Sequence, residues 1–363
     1  MMKLVDTKLL FAIIVIVIFG LIMVLSASYP KHGMHYFYLQ FGYVSIGIIA
    51  SIPLLYRWWN IDSYFLKNYS KVLYWLTIIA LLSVFMPIDG NTVNGSTRWI
   101  NFGIAKLQPS EIAKLTMLII AARFITEQKS HEYIGIFKIL LYLFGMVTLL
   151  LFEADFGATI IIAMTIIAMV FVAGIKIRVL FIVMLISVAV LALLIFLTDN
   201  RFDRIAAFFT GDGTALDSQR LQALIGIVRG DIFGIGIGGS LQKLGALPEA
   251  HNDMIFAIIG EETGVIGMLV LVLLFAYIFY KIFKISRDCL KKSRPFQGYL
   301  AFGIGFILST QTMLNLSVSL SLVPPKGITL PLISYGGSSM LFTIIMLAII
   351  LKIDIENKEK INL

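Results

Sequence analysis

Apolar runs of about twenty residues, divided by short polar breaks, repeat along the chain and set its architecture. A run of that length crosses the hydrocarbon core of a bilayer as a helix. Ten such runs predict ten spans, at about 9–26, 36–56, 72–86, 112–125, 137–152, 157–173, 179–197, 254–283, 298–323 and 339–351. The third and fourth are short, and the fourth carries Lys114. The pattern predicts an all-α, polytopic membrane protein. It forms a single domain over 1–363, with its longest connection, 198–253, between the seventh and eighth spans.

Composition supports this reading. Hydrophobic residues make up 59% of the 363 and charged residues 14%, with a mean hydropathy of +0.94. A soluble domain is nearer half apolar and a quarter charged. Lys3 and Lys8 before the first apolar run, with Ser26-Ala27-Ser28 after it, resemble a cleaved signal peptide. The length of the run and the spans that follow favour an uncleaved first helix.

The net charge of +8 is no nucleic-acid signature, because it is distributed by loop. One alternate set of connections holds Lys3 and Lys8, Arg57, Lys67 and Lys71, Lys129 and Lys138, Lys176 and Arg178, the basic stretch from Lys281 to Arg294, and Lys352, Lys358 and Lys360. With Arg123 near a helix end, this set carries about two-thirds of the 29 Lys and Arg. Positive residues collect on the cytoplasmic side, so both termini are expected inside. The outer connections are then about 27–35, 87–111, 153–156, 198–253 and 324–338. The single Cys289 excludes an intrachain disulfide, and the four His have no HExxH-type spacing.

The unusual chemistry falls on the outer connections. LPEAHNDMIFAIIGEETG, 247–264, packs Glu249, His251, Asp253, Glu261 and Glu262 into a very apolar context. Acidic residues before a helix can be plain caps, but carboxylates at a membrane edge are expensive and mark function. Arg98-Trp99 reads as an interfacial anchor or as a phosphate or sugar contact. Lys114, four residues into a membrane helix, either snorkels or meets an anion. Glu153 and Asp155 read as helix caps or as partners for Arg98 or Lys114. Arg220 and Arg229, in the longest loop, suit a diphosphate-bearing ligand. The same loop contains Gly234, Gly236 and Gly239 as a literal GxGxxG, but no βαβ unit surrounds it. Its glycines are expected to allow close backbone approach. Gln311 and Asn315 share a face of the ninth span, where interhelical hydrogen bonds are the default reading. VPPKGITLPLISYGGSS predicts non-helical backbone at membrane depth, tolerated where protein covers it.

Three stretches, LPEAHNDMIFAIIGEETG, GSTRWI with LQPSEIAKL, and KGITLPLISYGGSS, resemble the SEDS (shape, elongation, division and sporulation) family over essentially the whole chain. The division branch is nearest and the elongation branch next. The resemblance implies a peptidoglycan glycosyltransferase of the bacterial cytoplasmic membrane that polymerises lipid II on an undecaprenyl-diphosphate-linked glycan. It implies Asp253 as the essential acidic residue, with Arg98, Lys114, Gln108, Glu249 and His251 at the family's basic and polar positions. It further implies a class B penicillin-binding protein as partner, among divisome or elongasome membrane proteins, and no nucleic acid. A divalent cation, Mg²⁺ or Mn²⁺, could assist the diphosphate, although no carboxylate cage in the outer loops demands one. Ala154 stands where the family usually has Pro, and Asn252 where it usually has Thr. A lipid flippase or transporter is the alternative, with Lys114, Asp155, Gln311 and Asn315 lining a path. A scaffold for a partner synthase is a third reading.

Overall fold

The computed structural model describes residues 5–55, 63–85, 98–101, 106–128, 134–174, 215–245, 247–324 and 327–359. The regular elements among the described residues are one hairpin of two two-residue strands, a short 3₁₀ turn at Gln242–Leu244 and ten α-helices. They are α1 (Thr7–His32), α2 (His35–Leu55), α3 (Ser63–Ser83), α4 (Pro109–Glu127), α5 (Ile134–Phe152), α6 (Phe156–Val172), α7 (Ala215–Gly230), α8 (Ile255–Lys291), α9 (Pro295–Ser319) and α10 (Gly337–Glu359). The hairpin pairs β1 (Ile100–Asn101) with β2 (Lys106–Leu107) just before α4.

Nine of the ten expected spans fall on helices. The one at 179–197 lies outside the described residues, as do Lys176, Arg178 and residues 198–214. Among the described residues, six helices (α1, α2, α5, α8, α9 and α10) are long and apolar enough to cross a membrane. The 17-residue α6 is apolar but shorter. The helix α4 carries Glu111, Lys114, Arg123 and Glu127 and is buried along most of its length. A helix buried in protein on all sides can hold charge only by pairing it. The helix α7 lies in the connection for which no element was predicted.

The bundle has two chemically different ends. At one end, Lys281 binds Asp6 at 2.7 Å, Arg294 donates to the carbonyl of Glu356, and Arg123 donates to the carbonyl of Lys67 and to Ser70. This is the lysine- and arginine-rich end. The opposite end gathers the C-terminus of α1, the N-termini of α2, α4, α6, α8 and α10, and the last turn of α9.

Two departures from regular helix shape that end. First, α8 breaks at Gly264, where φ is +67° and ψ is −171°. The break removes the helical bonds from Val265 and Ile266 to Glu261 and Glu262. The loop after α7 replaces them: Val265 and Ile266 donate to the carbonyls of Asp231 and Ile232 at 3.0 and 3.2 Å. The amides of Ile235 and Gly236 donate to the carbonyls of Glu261 and Glu262 at 3.1 and 3.0 Å. These four backbone groups freed by the kink are therefore paired again, as burial requires. A Cβ on Gly234 would stand 2.3 Å from the Glu262 carbonyl, and one on Gly264 would stand 2.4 Å from the amide of Gly234. Of the GxGxxG glycines, Gly234 thus serves the expected close approach between backbones, whereas a Cβ on Gly236 would meet nothing within 4 Å.

Second, the non-helical segment 327–336 is inserted deep among the helices. A Cβ on Gly20, about halfway along α1, would lie 2.4 Å from the Leu332 carbonyl. Leu330, Leu332 and Ile333 are buried. Gln40 of α2 donates to the Ser334 carbonyl at 3.0 Å and accepts from the Gly336 amide at 3.3 Å. Irregular backbone at this depth is covered by protein and capped by side chains.

Candidate active site

Asp253 lies in the turn that leads into α8, outside the helical spans. It is largely buried, and its Oδ1 has no hydrogen-bond partner among the described residues. Burial pushes its carboxyl up from the usual range to about 7. The neighbouring Glu249 charge adds to the rise, while hydrogen bonds from its own amide and that of Met254 oppose it. A carboxylate with that value is split between its two forms at neutral pH, which suits proton transfer.

The turn is built locally and then clamped from outside. Glu249, at φ +52°, accepts from the Asn252 side chain, and the Asn252 amide donates to the Glu249 carbonyl at 3.0 Å. Glu249 therefore shapes the turn and adds charge beside Asp253. His251 packs on Tyr36 with ring centroids 4.4 Å apart, and Tyr335 and His32 complete the aromatic cluster. Its carbonyl accepts from the Tyr335 amide at 2.9 Å. Burial holds its imidazole below the usual value against the pull of Glu249, so His251 is neutral near pH 7. From α9, Asn315 Nδ2 donates to the carbonyls of Asp253 and Ile328, at 2.8 and 2.7 Å.

A second group of polar side chains lies beyond Ile328. A Cβ on Gly157 would be 3.6 Å from the Ile328 side chain and 3.7 Å from Asp155. Asp155 caps α6 through the Ala158 amide and accepts from Gln108 Nε2 at 3.0 Å. The Gln108 amide in turn donates to Ser338 at the start of α10. Arg98 donates to the carbonyls of Glu153 and Ala154, at 3.2 and 2.7 Å. The expected ion pair of Arg98 with a carboxylate of the 153–155 turn is thus replaced by bonds to its main chain. Ala154 has φ +60°, and the sharp turn points two carbonyls at one guanidinium. The Glu153 carboxyl is buried with both oxygens unpartnered among the described residues. Burial, reinforced by Asp155 and opposed by Arg98, raises it to about 8.

Lys114 does meet an anion, as the sequence suggested, but the partner is Glu111 one turn earlier and not Asp155. The two are buried and 2.7 Å apart. Lys114 also donates to Gln311 Oε1 at 3.4 Å, and Gln311 Nε2 faces the Thr329 carbonyl and hydroxyl at 3.4 Å. Of the two α9 amides, Gln311 makes the interhelical bond expected of it. Asn315 instead binds two loops.

The acidic stretch that the sequence presents as one divides in two. Glu261 and Glu262 lie beyond Asp253 in a separate buried cluster. Glu262 pairs with Lys243 at 2.7 Å and accepts from Ser26 of α1. Glu261 accepts from Ser240 and from the amides of Leu241 and Gln242. These carboxylates are satisfied and hold the 240–244 loop against α1 and α8. Arg229 is half-exposed, with its Nε 4.0 Å from Glu261, so it belongs to this cluster. Arg220, near the start of α7, offers its carbonyl to Ser321 at 3.5 Å. Asp253, His251, Glu249, Gln108, Asp155 and Arg98 are drawn to one end around 327–336, with Lys114 one layer deeper. Sequence reading missed Gln40, Tyr36, Ser338 and the Ile328–Thr329 backbone; a glutamine inside an apolar run was the one available signal.

Asp253 and Glu249 are the two carboxylates of this turn. Among the described residues, no three His, Cys, Asp or Glu side chains come together as a metal-binding group.

Comparison with known proteins places this arrangement. A relative from Buchnera aphidicola named "Probable peptidoglycan glycosyltransferase FtsW" is 37% identical, over 99% of this chain and 96% of its own length. One of the same name from Nitrosomonas europaea is also 37% identical, over 98% and 94%. A chain of a peptidoglycan synthase complex that coordinates polymerization and crosslinking superposes with a TM-score of 0.79 at 24% identity, covering 97% of this chain and 98% of that one. The rod shape determining protein RodA of Thermus thermophilus gives 0.71 at 24% identity, over 96% of both chains. At that identity the solved structures speak for the fold alone, a multi-pass membrane protein. The family model described as cell cycle protein, FtsW/RodA/SpoVE, spans residues 7–359, every described helix included. With Asp253, Arg98 and the 327–336 insertion all inside that match, the chain belongs to the FtsW/RodA/SpoVE family of cell cycle proteins.

Proposed function

We propose that the chain is a peptidoglycan glycosyltransferase that polymerises lipid II for septal wall synthesis. The curated relatives above carry that enzyme name over nearly the whole chain. The observation that carries the reading is Asp253: a desolvated carboxylate with an open acceptor oxygen, at the end of the bundle opposite the basic residues. The positive-inside rule makes that end extracytoplasmic and puts both termini in the cytoplasm of a bacterial inner-membrane protein. A partner that crosslinks the new strands, of the penicillin-binding class, fits the synthase complex that the fold resembles.

The reaction is a direct displacement. The 4-hydroxyl oxygen of one lipid-linked sugar bonds to the anomeric carbon of the other. The bond from that carbon to the diphosphate breaks, and undecaprenyl diphosphate leaves with the electron pair. Asp253 Oδ1 takes the hydroxyl proton. One inversion converts the α-linked donor to a β-linked product. Arg98, at the same end, supplies positive charge and a planar fork for the diphosphate. Gln108 and Asp155 set the α6 turn that carries Arg98's carbonyl partners. His251 anchors the turn that carries the base through its aromatic cluster with Tyr36 and Tyr335. Lys114, paired with Glu111, acts through Gln311 on the Thr329 backbone.

Purified protein given purified lipid II, with and without its crosslinking partner, is the test. Glycan strands from the wild type and none from Asp253→Asn are expected. Strands in equal yield from Asp253→Asn would overturn the assignment, and none from wild type in either condition would overturn the reaction.

A further inference from the structure

Two segments without regular structure must meet for Asp253 to be held: the 249–254 turn and the 327–336 insertion. They share little main-chain pairing. Tyr335 N–H to the His251 carbonyl is one bond between them. A loop that carries a reacting group and has so little ladder needs side chains to fix it. Those side chains come from one face of α9. Gln311 and Asn315 lie one turn apart and take successive carbonyls of the insertion, Thr329 and Ile328.

Asn315 does more than Gln311. Its side-chain nitrogen has two hydrogens, and both are used: one on the carbonyl of Asp253 itself, the other on that of Ile328. The residue is completely buried. Its oxygen is buried without a partner among the described residues. The orientation is therefore dictated. Turned over, the amide would set its oxygen against two carbonyl oxygens and leave all three without a donor. The amide thus joins the backbone of the base to the insertion. Ile328 also touches the α6 turn at Gly157, so the same insertion meets the Arg98 side of the site.

We propose that Asn315 is the positioning residue of the active site, fixing the Asp253 backbone against the 327–336 insertion so that the carboxylate and Arg98 face one substrate. This rests on the reading of Asp253 as the base. Asn315 touches neither sugar nor diphosphate; it acts through Asp253. An asparagine with one ordinary interhelical bond would add to bundle stability and leave the two loops to themselves. Here neither bond goes to another helix.

The experiment measures kcat and KM for lipid II polymerisation in detergent for the wild type, Asp253→Asn, Asn315→Ala and Asn315→Asp. The thermal midpoint of each is measured alongside. Asn315→Asp keeps the shape and replaces both donor hydrogens with an acceptor. A reacting group displaced by about 1 Å loses about 10²-fold in rate. The expectation is a kcat fall of that order in both Asn315 variants, with KM within about twofold of wild type. A wild-type kcat in a folded Asn315→Ala overturns the proposal. So does a raised KM at unchanged kcat, which would make Asn315 a substrate ligand. If neither variant folds, Asn315 serves the bundle and the proposal is overturned. An inactive wild type would instead overturn the function, and an active Asp253→Asn the base, so the three failures are separable.

Discussion

Replacing Asp253 by Asn should make the protein inactive and, above neutral pH, more stable. The carboxyl titrates near 3.8 in the unfolded chain and at about 7 in the folded one, chiefly because it is buried. Below the lower value both states hold the proton. Between the two values only the folded state retains it, so stability falls as pH rises through this window. Above pH 7 the loss is complete. A shift of about three units at roughly 1.4 kcal/mol each amounts to about 4 kcal/mol at pH 8. At pH 5 only about 2 kcal/mol of it has appeared. Asn has the shape of Asp and no charge to desolvate, so the variant avoids the penalty. Its thermal midpoint in detergent should exceed that of wild type at pH 8 by several degrees, and the gap should shrink at pH 5. Polymerisation by the wild type should rise with pH to a plateau above about 7. The variant should be roughly 10²–10⁴-fold slower throughout. A midpoint gap of the same size at both pH values, or an Asn variant less stable at pH 8, would refute the desolvated base. The carboxylate would then be held by donors, and its raised value would have no physical cause.

Lys114→Met should be far more damaging than Lys114→Met combined with Glu111→Gln. The single change leaves a buried carboxylate unpaired, worth about 3–5 kcal/mol, whereas the pair of changes leaves none; equal losses of folded yield would refute the buried ion pair. Gly234→Ala should disrupt folding while Gly236→Ala costs only about 1–2 kcal/mol. Both glycines have positive φ, but a Cβ on Gly234 strikes the Glu262 carbonyl and one on Gly236 meets nothing within 4 Å, so similar thermal midpoints would refute the adapter at the α8 kink.

The spans were legible in the sequence because crossing a membrane is a local demand. About twenty apolar residues meet it alone, and every expected span within the described residues is a helix. The placing of chemistry at one end was legible for a similar reason. Lys and Arg sort to one set of loops, and Asp253, Arg98 and Asp155 fall on the other. That the last outer connection is non-helical followed from the prolines and glycines of VPPKGITLPLISYGGSS. The partners of each charge were not legible. Lys114 pairs with Glu111, Glu262 with Lys243 and Ser26, and Arg98 with two carbonyls. Glu111 is a local partner for Lys114, one turn away, but nothing local chooses it over Asp155; Ser26 and Glu262 lie more than two hundred residues apart and leave no periodicity in each other. The kink at Gly264 shows the same limit. Its glycine is visible, but the six-residue loop, 231–236, that repairs its hydrogen bonds follows the far end of α7. Asn315 reads as one more polar residue in an apolar helix. Only the tertiary structure, by bringing two loop carbonyls to one buried amide, makes it part of the site.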